Sequence, residues 1–282
     1  MSAGAVGLAM LTASCSSAPV DPVESASTVS EPARSNPVPA YDHVVVVVFE
    51  NKPRRKVFRD APYLAELADR GADLTRYFAV THPSQPNYFA LFSGRLRVRD
   101  DKCHDVRGRH LAGQLWANGL TFKAYSEGLP SAGSRVCADG RYRRKHAPWA
   151  SFTSFRQKQH VPWDRFPSDF TRLPTVSFVI PDMCHDMHDC SVAVGSRWAK
   201  RNLDAYASWA VNHNSLLVVT FDEDDRSDDN HIFTVLVGDG IVPGNYRQRV
   251  THYGLLRTLE EMHGLTPLGK AEEARVLHGL WG

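Results

Sequence analysis

The sequence predicts an α/β fold in which a mostly parallel central sheet has helices on both faces. Five consecutive valines, Val44–Val48, are followed by Phe49, and such a uniformly apolar, β-branched run is typical of a strand buried on both sides. Two later segments, PTVSFVIP and NSLLVVTF, have the same character. Segments with helical spacing of apolar residues lie between these strands, which favours parallel pairing through crossover helices.

The remaining elements alternate along the chain. APYLAELADRGA (61–72) has apolar residues at helical spacing and a closing Gly71, which predicts a helix with its C-cap. LTRYFAV (74–80) reads as one strand, and YFALFSG (88–94) as a helix for which Asn87 would be the N-cap. The later elements are a helix in HLAGQLWANGL, a strand in FKAYSEGLP, a helix in SRWAKRNLDAYASWAVNH, a strand in HIFTVLVG and a helix in HYGLLRTLEEMHG.

Residues 131–172 interrupt this alternation. They are rich in arginine, lysine, aromatic residues and turn formers and show little periodicity, so we expect an irregular cap over one end of the sheet. With this cap, residues 42–282 form one predicted domain.

The first 41 residues differ in composition from the rest. Residues 1–15 are apolar and small and end in Cys15, like a bacterial lipoprotein leader, and residues 16–41 are mostly Ser, Pro, Ala, Val and Glu, which suits a disordered tether. These features predict export, either as a cell-surface lipoprotein or as a secreted protein. Membrane contact is expected only through a lipid on Cys15.

Four cysteines remain in the predicted domain. An even number in an exported protein indicates two disulfides, for which three pairings are possible. Cys184 and Cys190 are close enough in sequence for a local bridge, which would leave Cys103 to pair with Cys137. A zinc site formed by Cys184, Cys190 and the two histidines between them is the alternative.

The overall charge is nearly balanced. Lys and Arg number 33 and Asp and Glu 31, for a formal charge of +2, which argues against nucleic acid as a partner. A hydrophobic content of 43% and an aromatic content of 10% are typical of a globular protein. We expect a monomer.

Polar side chains collect where the predicted strands end. Glu50 and Asn51 follow the first strand, and a carboxylate run, Asp222–Asp225, follows a late one. Ser84 lies between two prolines in THPSQPNY, on a stretch that the prolines stiffen. Ligands of parallel sheets bind at the carboxyl ends of strands, and clustered carboxylates repel unless a cation separates them. The alternative is that these acids only cap helices or turns.

Five sequence blocks, in order, span the chain from about Tyr41 to its end: VVVVFENK, THPSQPNYFALFSG, VSFVIPDMCHDMHDCS, LLVVTFDEDD and THYGLLRTLE. Together they resemble the bacterial phosphoesterase family that includes phospholipases C and secreted acid phosphatases, within the alkaline phosphatase superfamily. The resemblance implies an alkaline phosphatase-like fold, one divalent metal ion whose identity stays open, and a hydroxyl that is phosphorylated during turnover.

The site residues follow from matching these blocks and from the basic cap. The implied metal ligands are Glu50, Asn51, Ser84, Asp222 and Glu223. The implied catalytic residues are Ser84 as nucleophile, with His188 and His252. The candidates for substrate binding are Asn87, Lys145, His146 and Asp186. We expect no role for His82 as a general base, because neighbouring side chains in an extended segment point to opposite sides.

The predicted function is an exported acid phosphatase that hydrolyses phosphomonoesters, with phosphoinositides or phosphorylated small molecules as substrates. A phospholipase C-like phosphodiesterase needs the same nucleophile and metal and remains an alternative. A surface lipoprotein that binds phosphorylated ligands without turnover is the non-enzymatic alternative.

Overall fold

The computed structural model describes residues 4, 5, 7, 9, 10 and 37–282. Cys15 and most of the predicted leader, together with residues 16–36 of the predicted tether, therefore lie outside the described residues. Among the described residues, no helix has the length and apolar character needed to cross a membrane.

Twelve strands lie within residues 37–282. They are β1 His43–Phe49, β2 Ala72–Leu74, β3 Tyr77–Phe78, β4 Phe122–Ser126, β5 Ala138–Asp139, β6 Tyr142–Arg143, β7 His160–Pro162, β8 Val176–Ile180, β9 Ser215–Phe221, β10 Thr234–Gly238, β11 Gly244–Tyr246 and β12 Val250–Thr251. Eight of them form one sheet in the order β11-β2-β10-β9-β1-β8-β4-β7. Neighbouring strands of this sheet are parallel except around β10, which is antiparallel to both β9 and β2. The predicted mostly parallel α/β fold is confirmed.

Seven α-helices accompany these strands in the described part of the chain. They are α1 Arg54–Asp60, α2 Pro62–Asp69, α3 Ser84–Ser93, α4 Leu111–Ala117, α5 Pro148–Ser151, α6 Val192–Ala210 and α7 His252–Met262. Helix α6 packs on β9 and β10 together with α1 and α2, and α3 packs with α5 and α7. Every residue from Val44 to Phe49 is buried, so both faces of the central strand are covered, as its valine run predicts.

Two segments differ from their predicted form. The predicted strand 74–80 is broken after Leu74, where the backbone amide of Thr75 bonds to Tyr246 O, and Tyr77–Phe78 pairs with β12 outside the main sheet. Helix α3 begins at Ser84, so Asn87 is not its N-cap. Pro86 is compatible with this earlier start, because backbone amides of a first helical turn have no intrahelical acceptor to lose.

The irregular segment 131–172 contributes to the sheet as well as covering it. It contains the hairpin β5–β6, a 3-10 turn at Arg144–His146, helix α5 and strand β7, which pairs with β4 at the sheet edge. The segment was predicted only as an irregular cap, but it also supplies the edge strand β7 of the sheet.

Both predicted disulfides are present, Cys103–Cys137 and Cys184–Cys190. The alternative zinc site is wrong, because the two sulfur atoms that it needs are bonded to each other.

The folded domain begins slightly before residue 42. Tyr41 is 4% exposed, its hydroxyl donates to Asp239 O at 2.6 Å, and its ring packs against Trp281. The last residues of the predicted tether are thus part of the packed domain.

Candidate active site

The hydroxyl of Ser84 lies between the acidic ends of two parallel strands. Ser84 is the first residue of α3 and is 2% exposed. Its Oγ is 3.2 Å from Glu50 Oε2, after β1, and 3.1 Å from Glu223 Oε1, after β9. The structure therefore brings together the serine and the acidic groups that the sequence placed at separate strand ends.

The register of β1 and β9 explains why these acids meet. Phe49 pairs with Phe221, so the residues that follow both strands emerge side by side. The backbone amide of Asn51 donates to Asp222 Oδ1 at 3.0 Å, and the amide of Asp222 donates to Phe49 O at 3.0 Å. Asn51 has a φ of 51°, in the left-handed region that asparagine tolerates better than most residues, and this turns the chain at the site.

Three further residues close the inner wall of the site. The hydroxyl of Tyr88 donates to Glu50 Oε1, and the Tyr88 ring stacks on His146 with centroids 5.3 Å apart. His146 Nε2 lies 3.2 Å from Glu50 Oε1, and its Nδ1 lies 3.4 Å from Asp186 Oδ2. The carbonyl of Asp186 accepts the amide of Glu50 at 2.8 Å. The side chain of Glu50 is thus held by the Tyr88 hydroxyl and its backbone by Asp186, with His146 beside it.

Burial disfavours the charged form of every carboxylate here. Burial, and then repulsion from Asp222, raises the pKa of Glu50 well above its usual range and that of Glu223 to about 8. Burial also raises the pKa of Asp222 to about 6 and that of Asp186 well above its usual range. Four acids in one desolvated cluster without matching cationic charge are unfavourable unless protons or a cation neutralise them.

Two buried oxygen atoms point to a cation rather than to protons alone. Within the described part of the chain, Asp222 Oδ2 and Asp186 Oδ2 are buried and have no hydrogen-bond partner. Carboxylate, amide and hydroxyl oxygens are the ligands that hard divalent cations prefer. Asn51 directs its Nδ2 to Glu50 and to Ser84 Oγ, 3.4 Å away, so its amide would have to turn over to act as a ligand. The residues present fit a divalent cation beside Ser84.

A second acidic group lies at the ends of β4 and β8. Glu127, Asp182 and His185 each offer a ligand atom, and these atoms lie within 4.8 Å of one another. Their charges are already satisfied, since Glu127 Oε2 accepts the amide of Asp182 at 3.0 Å and lies 2.9 Å from His185 Nδ1. All three are partly exposed, so this group needs a cation less than the buried cluster does.

Lys145 provides positive charge at the rim of the cluster. Its Nζ lies 3.0 Å from Asp101 Oδ2, and Asp101 Oδ1 accepts the backbone amide of Gln85 at 2.9 Å. Burial lowers the pKa of Lys145, but the nearby carboxylates of Glu50 and Asp101 outweigh this effect and raise it. Lys145 therefore stays charged next to the first turn of α3.

The two predicted catalytic histidines occupy different environments. His188 is at the rim, with Nδ1 2.7 Å from Asp189 Oδ1, and its ring centroid is 6.3 Å from that of His146. His252 is buried, with Nε2 2.7 Å from the carbonyl of Asp222 and Nδ1 3.1 Å from the hydroxyl of Tyr77. Since both its ring nitrogens are occupied behind Asp222, His252 is placed to position that strand end rather than to contact a substrate.

Asn87 and His82 also lie differently from expectation. The Asn87 amide is used within the protein, since its Oδ1 accepts the amides of Val80 and Thr81 at 3.0 and 3.1 Å. Its Nδ2 donates to Thr81 O at 2.7 Å and lies 3.5 Å from Glu223 Oε2, so Asn87 shapes the turn before α3 and borders the acidic cluster. His82 Nδ1 is 2.6 Å from Glu223 Oε2, so the argument that separated His82 from the serine is wrong, because both residues contact Glu223.

Three residues contact the candidate site although the sequence did not indicate them: Tyr88, His82 and Asp101. Tyr88 looks like one more core aromatic residue in YFALF, and Asp101 is one of several charges in an irregular loop. The only local signal was the position of His82 two residues before Ser84, since residues i and i+2 of an extended segment share a side.

Comparisons with known proteins show the family and the fold of the chain. The profile described as Phosphoesterase family matches residues 56–266. The chain is 44% identical to the Phosphatidylinositol-3-phosphatase of Mycobacterium tuberculosis over 252 residues, which cover 87% of this chain and 84% of that protein. It is 30% identical to the Phosphate-repressible acid phosphatase of Penicillium chrysogenum over 82% of this chain, but spans only 61% of that longer protein. A solved structure of a protein in the alkaline phosphatase superfamily from Vibrio parahaemolyticus matches 86% of this chain and 71% of its own, with a TM-score of 0.59 and 14% identity, which shows the fold alone.

Proposed function

We propose, from the premise that this chain belongs to the Phosphoesterase family and so hydrolyses phosphate esters, that it is an exported acid phosphatase acting on phosphomonoesters. Phosphoinositides are the substrates we favour, because the relative at 44% identity is named a phosphatidylinositol phosphatase. The observation that carries the proposal is the Ser84 hydroxyl, about 3 Å from both Glu50 and Glu223 in a buried acidic cluster.

The first half of the reaction is the transfer of the phosphoryl group to Ser84. The Ser84 Oγ attacks phosphorus in line and gives up its proton to water, and the bond from phosphorus to the leaving oxygen breaks. His188 at the rim is the candidate that protonates the leaving alkoxide. Lys145 binds a phosphoryl oxygen, because its ammonium group is held at the rim by Asp101.

The second half restores the enzyme. Water attacks the phosphoserine, inorganic phosphate leaves, and Ser84 recovers its proton. His146 is buried, which lowers its pKa, and it lies between Glu50 and Asp186 on the inner wall of the site.

Glu50, Asn51, Ser84, Asp222 and Glu223 are the residues that would hold one divalent cation. When bound, the cation supplies positive charge that favours the ionised serine and the charged phosphoryl oxygens. The buried Asp222 Oδ2, which has no hydrogen-bond partner within the described residues, supports its presence.

Export is the part of the proposal that rests on the cysteines. Two disulfides are consistent with an oxidising compartment, and the lipoprotein-like leader predicted for residues 1–15 would supply the route. Release of the protein into the medium or its recovery with the cell envelope distinguishes the secreted form from the lipidated form.

The nucleophile is tested by Ser84→Ala, with Ser93→Ala as the matched control. Ser93 is a buried serine on the same helix whose Oγ donates to Phe89 O at 2.9 Å, away from the acidic cluster. We expect Ser84→Ala to lose phosphate release from an aryl phosphate by at least about 10³-fold, while Ser93→Ala keeps activity within about tenfold. Wild-type rates in Ser84→Ala would contradict the proposal.

The reaction class is tested with a substrate panel and chelator. Phosphoinositides and aryl phosphate should release phosphate with an acidic optimum, and prolonged chelation should abolish release. Cleavage of phosphatidylcholine in preference to these monoesters would support the phosphodiesterase alternative. Saturable binding of the same compounds, with no phosphate released at any pH or with any added divalent cation, would support the non-enzymatic alternative.

A further inference from the structure

The positive charge of the protein is concentrated in two loops. Residues 95–109 and 131–145 contain eleven Lys and Arg and four Asp, a formal charge of +7, in a chain whose total is +2. The rest of the chain is therefore net negative. The Cys103–Cys137 disulfide joins the two loops, which we call the basic loop surface.

The basic loop surface lies at the mouth of the candidate active site. Asp101 on the first loop bonds to the amide of Gln85, next to Ser84, and to Lys145 on the second loop. The backbone carbonyl of Arg141 accepts the amide of Met183 at 3.1 Å, which fixes the β5–β6 hairpin beside the loop after β8. A ligand in contact with this hairpin would therefore also lie next to the opening that leads to Ser84.

The cations of this surface serve two different purposes. Arg135 and Arg144 both bind Asp105, at 2.5 and 3.1 Å, and so hold the shape of the loops. Arg99, Arg107 and Arg141 are exposed, and within the described part of the chain their guanidinium groups have no hydrogen bond or ion pair. Free arginines are available to a partner without first breaking an internal contact.

An exposed aliphatic side chain accompanies these arginines. Val136, next to Cys137, is 43% exposed and is one of the few large hydrophobic residues so exposed among those described. Exposed cations beside an exposed apolar group are typical of proteins that lie on anionic bilayers, where the charges reach the headgroups and the apolar group enters the interface.

We propose that the basic loop surface docks the protein on an anionic lipid bilayer, with the opening of the active site facing the headgroups. This rests on the proposed function, because a phosphoinositide substrate lies in such a bilayer. Nucleic acid would also attract the arginines, but it gives no role to Val136. Docking of this kind would attach the protein to the membrane in addition to the lipid anchor expected at Cys15.

The test compares two triple variants by co-sedimentation with vesicles at pH 7. The first is Arg99→Gln/Arg107→Gln/Arg141→Gln, and the control is Arg172→Gln/Arg201→Gln/Arg247→Gln, which removes equal charge from exposed positions outside the loops. The vesicles contain phosphatidylserine and phosphatidylcholine, or phosphatidylcholine alone, and no phosphoinositide. Hydrolysis of a soluble aryl phosphate and the melting temperature are measured in parallel.

We expect the wild type to bind phosphatidylserine vesicles, to bind phosphatidylcholine vesicles far less, and to lose binding as salt rises. Each removed arginine should weaken binding about fivefold, so the loop variant should bind on the order of 100-fold more weakly. The control variant should change by less than about threefold, since its arginines lie outside the basic loop surface. Val136→Ser should weaken binding without altering the salt dependence.

Equal loss of binding in the two triple variants would overturn the proposal, as would equal wild-type binding to both vesicle types. Tighter salt-matched binding to a DNA or RNA oligonucleotide than to vesicles would overturn it in favour of nucleic acid. A failure of the proposed function would be seen separately. In that case the wild type would not hydrolyse aryl phosphate, but its binding to vesicles could still be measured.

Discussion

Replacing Asp222 by asparagine should stabilise the cation-free protein while it abolishes catalysis. Asp222 is fully buried, its Oδ1 accepts the amide of Asn51, and its Oδ2 has no partner in the described part of the chain. Asparagine keeps an oxygen for Asn51 and removes the buried charge. If the role of Asp222 is to bind a cation, its buried charge should destabilise the folded protein when the cation is absent.

The magnitude follows from the pKa of Asp222, which burial raises from 3.8 to about 6. About 2 pH units correspond to about 3 kcal/mol as an upper value, so we expect Asp222→Asn to gain about 1–3 kcal/mol at pH 7. The sign is set by the raised pKa: the charged form is disfavoured in the folded state, so wild-type stability falls as pH rises through 6. The advantage of the variant should be full above pH 6 and absent near pH 4.

The assay is thermal unfolding in chelator, followed by titration with divalent cations. For a domain of this size, each kcal/mol corresponds to a shift of about 2–4 °C in Tm. Added cation should raise the Tm of the wild type and leave that of Asp222→Asn nearly unchanged, because the variant has lost a charged ligand. Phosphate release should be lost in the variant.

Asp73→Asn is the matched control. Asp73 is also buried, at 3% exposed, but both of its oxygens bind the guanidinium of Arg54. Breaking this pair should destabilise the protein by about 3 kcal/mol at pH 7. If Asp222→Asn loses stability in chelator as Asp73→Asn does, the reasoning that the buried charge of Asp222 is unfavourable without a cation is refuted.

Three further predictions concern the surroundings of the site. Asp101→Asn should free Lys145 and lower kcat/KM for aryl phosphate about tenfold, with weaker inhibition by inorganic phosphate; unchanged inhibition would show that Asp101 does not position Lys145. Replacing Cys103 and Cys137 by serine should destabilise the domain by about 3–4 kcal/mol in denaturant titrations, since the bridge closes a loop of 34 residues; a loss below about 1 kcal/mol would contradict this. Cation affinity should rise with pH up to about 8 as Glu223 deprotonates, which calorimetry in buffers of different ionisation enthalpy detects as proton release; pH-independent binding without proton release would contradict it.

The central strands and their acidic ends could be predicted because their signals are local. An unbroken valine run has no polar face to expose, and Glu50 and Asp222 follow such runs directly. Parallel pairing then makes the two strand ends adjacent, which is what the β1–β9 register shows. The proline-flanked Ser84 fits the same account, since a rigid turn delivers it to that edge of the sheet.

The contacts that complete the site could not be predicted because they join distant segments. Nothing in YFALF distinguishes the Tyr88 hydroxyl, which reaches Glu50 across 38 positions. Asp101 gains its role only when its loop is fixed beside Lys145. Helix α3 starts at Ser84 rather than after the predicted N-cap Asn87, because a first helical turn accommodates Pro86.

The catalytic role predicted for His252 rests on sequence resemblance, whereas the structure shows its ring buried. The block THYGLLRTLE places a histidine at a helix start, which reads as a group facing a ligand. In the structure the ring lies behind Asp222 and contacts the backbone carbonyl of Asp222 and the hydroxyl of Tyr77. A sequence block shows that a histidine is present but does not show on which side of the strand end it lies.

The most direct test of the account is to trap the covalent intermediate. Wild-type protein is mixed with aryl phosphate at acidic pH, quenched in acid within the first turnover, digested and examined by mass spectrometry. The account predicts one phosphate on the peptide that contains Ser84, and none in Ser84→Ala. Phosphate on another residue, or rapid turnover with no phosphorylated peptide at any quench time, would contradict it.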